Sequence, residues 1–313
     1  MTITQLQYVI AVDTHKSFAQ AAVHCYVSQP ALSMQIKKIE DELGILIFDR
    51  SKKPILTTDI GDKIIAHARV IVHEINRMPE LIKEQKDEIK GILRIGIIPT
   101  LSPYLLPLFV NHFITKYPDV NLSFQELLSE NILDSLNKDL LDVGILVTPI
   151  KHNSMIEIPL FYEGFVLYGH PSAPLMKRQS VDVNDLNINE MWLLKKGHCF
   201  RTQSINICSG QPSDTRRVKF DSGSLETLKK IVESRSGYTL LPELAIKDMD
   251  EKHKANVRTF KTPIPLREVS MVMHRSFVKR RLIELLRDEI LEQIPEKMKN
   301  KDRGKLVEVS DKS

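Results

Sequence analysis

The sequence has no run of 18 apolar residues, so no membrane span is expected. Its first stretch, MTITQLQYVI, lacks a charged start and a cleavage site, and no signal peptide is read. Both features point to a cytoplasmic chain. Cysteine is scarce, with three in 313 residues. In the cytoplasm such thiols are reduced at rest, so a disulfide would be transient rather than structural. Tryptophan occurs once. Strong net charge is also missing: the formal value is +4, and residues 1–90 hold 12 basic and 12 acidic side chains. The balance is mildly basic, but charge alone does not mark a nucleic-acid-binding domain. Apolar residues, by contrast, make up 42% of the chain, enough for buried cores, and the length predicts two or more domains.

Helical signals open the chain. Leu6, Val9, Ile10 and Val12 form an apolar stripe. Ser17 is placed to cap a short helix with Phe18, Ala21 and Ala22 on one face. Ser28 can cap the next, where Pro30 is tolerated in the first turn. Leu32, Ile36, Ile39 and Leu43 then recur at helical spacing until Gly44 stops the run. Two short helices joined by a tight turn form a helix-turn-helix, whose second helix enters the major groove by its first turns. Those turns carry Ser28, Gln29, Pro30, Ser33, Gln35 and Lys37. Glutamine can pair bidentately with adenine, and serine can bond a base edge or a phosphate. Phe48 to Thr57 reads as a hairpin wing whose Arg50, Lys52 and Lys53 suit phosphate or the minor groove, or else form a solvated basic turn. Cys25 reads as a core packer.

Thr58 begins a long amphipathic pattern, with Ile60, Ile64, Ala68, Ile71, Ile75 and Met78 at steps of three or four. Such a stripe needs a partner, and Pro79 predicts a kink or break. From Ile92 onward the pattern alternates strands and helices, which predicts a parallel α/β sheet. The strands expected are ILRIGII, VNLSFQEL, VGILVT, Leu160 to Gly169, Met191 to Leu194, Val218 to Phe220, Tyr238 to Leu241 and Arg267 to His274. Ser224 to Thr227 has the look of a capping box, and Phe277 to Leu291 reads as a closing helix. Ligands of such sheets bind outside the carboxyl ends of strands, which draws attention to Thr100, Ser129 and Arg267. Residues 296–313 are charged and poor in large apolar groups, so disorder is expected there.

The stretch GHCFRTQSINICSG, residues 197–210, holds Cys199 and Cys208. His198 and Arg201 flank the first thiol, and a cation favours the reactive thiolate. If the segment is helical, nine steps put the two α-carbons ~13 Å apart. A disulfide needs them within roughly 7 Å, so joining them would break up the local structure. The pair also reads as two buried small hydrophobes. Zinc fits less well, since ligand pairs usually sit closer together.

GHC-x-R-x-Q-x4-C resembles the redox segment of the OxyR family, bacterial peroxide sensors within the LysR-type regulators. FAQAA, VSQPALS, IEDELG, LIFDR and ILTTDIG resemble the LysR-type winged helix almost continuously over residues 1–62. Met34 departs from that pattern. The resemblance implies a winged helix-turn-helix at 1–62, a linker helix at 58–90 that dimerises, and an effector domain at 91–295. The effector domain would have the periplasmic-binding-protein fold, with subdomain I at about 91–162 and 267–295 and subdomain II at about 163–266. A peroxide pocket of Thr100, Ser129, His198, Arg201 and Arg267 around Cys199 is implied. Ser129 stands where threonine is usual, but the hydroxyl survives. A reversible Cys199–Cys208 disulfide is implied as well. Expected partners are promoter DNA, hydrogen peroxide as the signal, RNA polymerase and further copies of the chain in a homodimer or homotetramer. Neither a cofactor nor catalytic turnover is expected. A small organic effector, with incidental cysteines, and a thiol peroxidase are the alternatives; the second leaves the winged helix unexplained.

Overall fold

A computed structural model describes residues 1–85, 89–150, 152–208, 222–275 and 279–309. It divides into two compact units, one within residues 1–88 and one over most of the remaining chain. Among the described residues no helix is long and apolar enough to cross a membrane.

The first unit is helical with a small wing. Helix α1 (Ile3–His15) starts at Thr2, whose hydroxyl accepts the Gln5 N–H while the Gln5 side chain accepts the Thr2 N–H. Ser17 caps α2 (Phe18–His24), and Ser28 caps α3 (Gln29–Leu43), with Pro30 in the first turn. Each cap contributes about 1 kcal/mol. Gly44 ends α3 at a φ of 67°, a left-handed conformation that other residues resist. Strands β1 (Phe48–Asp49) and β2 (Leu56–Thr57) pair antiparallel as the wing. Leu32, Ile36 and Ile39 pack with Leu6, Val9, Phe18 and Ala21 in one core, and Cys25 lies partly buried against it.

Helix α4 (Asp59–Gln85) is capped by the Thr58 hydroxyl, which accepts the Gly61 N–H at 2.9 Å. It runs through Pro79 as one helix, so the expected break does not occur. One proline removes one hydrogen bond, and 27 residues supply the rest. The apolar stripe also divides differently from the sequence reading. Ile65 and Ala68 are buried in this unit's own core, with Ile64 and Val72 packed partly against it. Ile60, Val70, Ile71 and Met78 are exposed.

Asp13 of α1 ties the two helices together. Burial disfavours its charge, but Lys16 and Arg69, each at 2.7 Å, outweigh that and hold its carboxyl below the ordinary value. A depressed acid contributes stability above its unfolded pKa and loses it as pH falls through the folded one. Asp13→Asn is therefore expected to destabilise the N-terminal unit by about 1–3 kcal/mol at neutral pH. The gap between variant and wild type narrows as pH falls below about 4. Denaturant titrations at pH 7 and at acid pH check both statements.

The second unit is built on β3 (Gly91–Ile97), α5 (Ser102–Lys116), β4 (Val120–Glu126), α6 (Ser129–Asn137) and β5 (Val143–Thr148), and β3 lies parallel to both β4 and β5. Long strand β6 (Met155–Gly169) leads to β7 (Ser180–Val181), α7 (Cys199–Cys208), α8 (Leu225–Ser234), β8 (Tyr238–Pro242), α9 (Glu251–Lys254) and β9 (Val257–Phe260). Then β10 (Ile264–His274) returns, followed by α10 (Arg280–Gln293) and β11 (Gly304–Leu306). The sheet order is β4-β3-β5-β10-β6-β9-β7, with β8 on β6 and β11 on β10. Strands β6 and β10 are antiparallel and cross between the two halves: the start of β6 pairs with β10, and its end pairs with β8 and β9. Two α/β halves joined by crossing strands are the effector architecture that the sequence led one to expect.

Several details differ from that expectation. Met191 and Leu194 make only isolated bridges, to Tyr238 and Ser222, because tight turns flank them. Ser224 caps α8 through the Thr227 N–H, but the third helical residue is Thr227, so no reciprocal carboxylate exists. Val218 to Phe220 and Phe277 lie outside the described residues. The charged tail is ordered through residue 309 rather than disordered. Met298 is buried, Arg303 donates to the Tyr162 carbonyl, and β11 pairs in parallel with β10. One apolar anchor and a ladder of backbone bonds hold a segment whose composition gives no sign of order.

Candidate functional site

Residues from four parts of the second unit gather around Arg267 and Cys199. Thr100 precedes α5, Ser129 is the first residue of α6, Cys199 the first of α7, and Arg267 lies on β10. The sequence reading began the returning strand at Arg267; the strand starts at Ile264, so Arg267 lies inside it, opposite Glu163 of β6. Arg267 is 1% exposed and Glu163 0%. Two guanidinium nitrogens donate to Glu163 Oε2, at 2.7 and 2.9 Å. A third bond reaches Thr100 Oγ1 at 3.0 Å and a fourth the Thr100 carbonyl at 3.1 Å. The guanidinium also lies 5.1 Å from the centre of the Phe200 ring, next to Cys199 in sequence.

Burial pushes the Cys199 thiol up, while Arg267 and a hydrogen bond with Ser129 pull the other way. As the first residue of a helix, Cys199 also sits where backbone N–H groups favour an anion. The cations expected from the sequence act differently. His198 is buried, and that burial together with Lys195 holds its pKa below the ordinary value, so it is neutral. Its Nε2 has no hydrogen-bond partner among the described residues. Arg201 donates to the Leu194 carbonyl at 2.7 Å and braces the approach to α7. The charge that most favours a Cys199 thiolate is Arg267, 68 positions away in sequence.

Cys208 is the last residue of the same helix, and both cysteines are free thiols. Nine helical steps separate them by ~13 Å, too far for a bond. Burial pushes the Cys208 thiol up to about 12. Helix α7 is more deeply seated than its polar residues suggest. Gln203 and Ser204 are buried along with Phe200 and Ile207. The Gln203 amide donates to the Val307 carbonyl and Asn206 to that of Glu308, so the ordered tail holds the second half of the helix. Glu163 and the tail are the parts that sequence reasoning missed. A lone glutamate in a strand carries no motif, and only pairing in register with Arg267 reveals it. Among the described residues no cluster of three His, Cys, Asp or Glu side chains could hold a metal.

On the first unit, Ser28 spends its hydroxyl on capping α3. Gln29, Pro30, Met34, Lys37, Lys52 and Lys53 are exposed. Ser33 accepts from Arg50 and Gln35 accepts from Gln5, so both are half-committed within the fold. Arg50 also pairs with buried Glu40 at 2.8 Å and lies 4.9 Å from the centre of the Phe18 ring. These contacts make it a strut between wing and helix.

The pattern of the bacterial regulatory helix-turn-helix proteins of the lysR family matches residues 3–62, and that of the LysR substrate binding domain matches residues 86–295. A hydrogen peroxide-inducible genes activator of Haemophilus influenzae is 34% identical, over 87% of this chain and 90% of its own. The DNA-binding transcriptional dual regulator OxyR of Escherichia coli is 36% identical, over 79% of this chain and 80% of its own. Among solved structures, full-length OxyR from Pseudomonas aeruginosa superposes with a TM-score of 0.79 at 33% identity, covering 94% of this chain and 99% of that one. These relatives are transcriptional regulators rather than enzymes, and their likeness runs through both the helix-turn-helix and the effector unit. The chain belongs to the LysR family of bacterial transcriptional regulators and, within it, to the OxyR type.

Proposed function

We propose that this protein is a cytoplasmic, DNA-binding transcription activator that hydrogen peroxide switches through Cys199 and Cys208. The observation that carries the reading is the setting of Cys199. One thiol at a helix N-terminus meets the Ser129 hydroxyl and the Arg267 guanidinium, while a second thiol waits at the far end of the same helix. Hydroxyls at Ser129 and Thr100 can orient a small polar oxidant. The Cys199 thiolate attacks one peroxide oxygen, the O–O bond breaks, and hydroxide leaves with a Cys199 sulfenic acid behind. The Cys208 thiol then attacks that sulfur, forming the disulfide and releasing water, so two electrons pass from the two thiols to peroxide.

Bringing the sulfurs together requires α7 to unwind, which withdraws Phe200 and Ile207 from the core. Each such side chain costs about 1.5–3 kcal/mol to expose. Closing a loop of about ten residues returns roughly 2.5–3 kcal/mol in the entropic account. The two states are thus close in energy, as a reversible switch reduced by cytosolic thiols requires. The exposed Ile60, Val70, Ile71 and Met78 of α4 support self-association as a homodimer or homotetramer. RNA polymerase is the partner through which an activator would act. Gln29, Pro30 and Lys37 would face the major groove, with Ser28, Ser33 and Gln35 setting the helix, and Lys52, Lys53 and Arg50 would meet phosphates.

Two measurements test the reading. In Cys199→Ser the peroxide response is expected to vanish while specific DNA binding persists; a variant that still responds, followed by footprinting with and without peroxide, overturns the sensing role. On the DNA side, Gln29→Ala is expected to cost about 1–3 kcal/mol on specific sites only. Lys53→Ala should weaken binding to all sequences alike and flatten its salt dependence. Titrations on specific and random duplexes over a range of salt concentrations separate the two.

A further inference from the structure

Glu163 is fully buried, yet it touches neither thiol in the scheme above. Both of its oxygens are engaged: Oε2 by two Arg267 nitrogens, and Oε1 by the Leu244 N–H at 2.9 Å. Burial raises its carboxyl, against the pull of Arg267. Among the described residues every hydrogen bond to it comes from a donor, and the guanidinium in direct contact favours the carboxylate. The register of β6 against β10 sets it directly opposite Arg267. Arg267 itself is held from three further directions, by the Thr100 hydroxyl, the Thr100 carbonyl and the Phe200 ring.

We propose that Glu163 is a positioning residue for the peroxide reaction, a carboxylate that keeps the Arg267 guanidinium against Thr100 and offsets its charge, so that Cys199 rests as a thiol rather than as a standing thiolate. This rests on the reading of Cys199 as the peroxide-reactive group. A fully charged Arg267 without its partner would favour the thiolate at all times, and a permanent thiolate reacts with any electrophile. With the pair net neutral, the thiolate is formed on demand, when the oxidant and the hydroxyls of Thr100 and Ser129 are in place.

Among the described residues, other ionisable groups lie near the thiol or the ion pair. His198, ahead of α7, is neutral and has Lys195 beside it. Tyr104 of α5 feels both Glu163 and Arg267 and donates to Glu226 of α8, which Lys229 also pairs. Glu243, near Glu163, is matched by Lys297 and Arg303. None of them replaces Glu163 as the counter-charge in direct contact with Arg267.

The test is the pH dependence of Cys199 alkylation by iodoacetamide in the reduced full-length protein, read peptide by peptide in a mass spectrometer. In Glu163→Gln the midpoint at Cys199 is expected to fall by about one pH unit or more, with a roughly tenfold faster alkylation at pH 7. The rate at Cys208 should stay unchanged. An unmoved or raised midpoint, or acceleration shared equally by Cys208, overturns the proposal, since a merely structural role gives one of these. Because a lone buried cation can prevent folding, Glu163→Gln is also combined with Arg267→Met, which leaves no charge unpaired. There the midpoint should lie within about half a unit of wild type; a rise of about one unit or more would mean that Arg267 acts uncompensated. Alkylation uses no peroxide, so wild-type Cys199 inert to peroxide would sink the sensing role and leave this titration standing.

Discussion

A guanidinium and a carboxylate with almost no exposure meet where β6 and β10 cross between the halves of the effector unit. Neither charge could remain there alone, because an unpaired buried ion costs several kcal/mol. The pair therefore constrains everything built on it. It locks the register of the two longest strands, since a slip of one residue would turn Arg267 and Glu163 to opposite faces. It reaches the first half of the unit through Thr100 and the second through the Leu244 amide. It also lies against the Phe200 ring, which seats the first turn of α7. Strand pairing, the joint between subdomains and the position of the Cys199 thiol thus share one electrostatic requirement.

That arrangement gives the cysteine helix two anchors of different kinds. At its start, Cys199 and Phe200 rest on the ion pair and the Ser129 hydroxyl. Towards its end, Gln203 and Asn206 donate to the backbone of the tail. The second anchor consists of two neutral hydrogen bonds, each worth about 1 kcal/mol net. The first involves a charge that cannot be exposed cheaply. A helix built this way is held less firmly towards its Cys208 end than at its Cys199 end.

The helix-turn-helix was legible because its information is local. Ser17, Ser28, Pro30 and Gly44 are caps and stops that act on their immediate neighbours, and the apolar spacing of Leu32, Ile36 and Ile39 gives the buried face directly. The stretch around Cys199 and Cys208 stood out for a different reason, as a family resemblance carried by residues that lie within fourteen positions. What escaped depends on partners distant in sequence. Arg267 was named for the pocket only through the resemblance, and the cation read from local spacing, Arg201, turns instead to the Leu194 carbonyl. Gln203 and Ser204 look like surface residues until the tail and the Phe200 carbonyl take up their polar groups. The stripe on α4 was read correctly as apolar, but its periodicity cannot say which part, Ala68 or Ile71, faces the chain's own core.

The tail that braces α7 lies 104 residues beyond Gln203 in the chain. At synthesis rates of about 5–20 residues per second, a growing polypeptide completes both cysteines roughly 5–20 s before that brace exists. A ten-residue helix without tertiary support is marginal in water. In the unfinished chain the second half of α7 therefore lacks its brace, and the packing of Phe200 and Ile207 has to hold the helix without it.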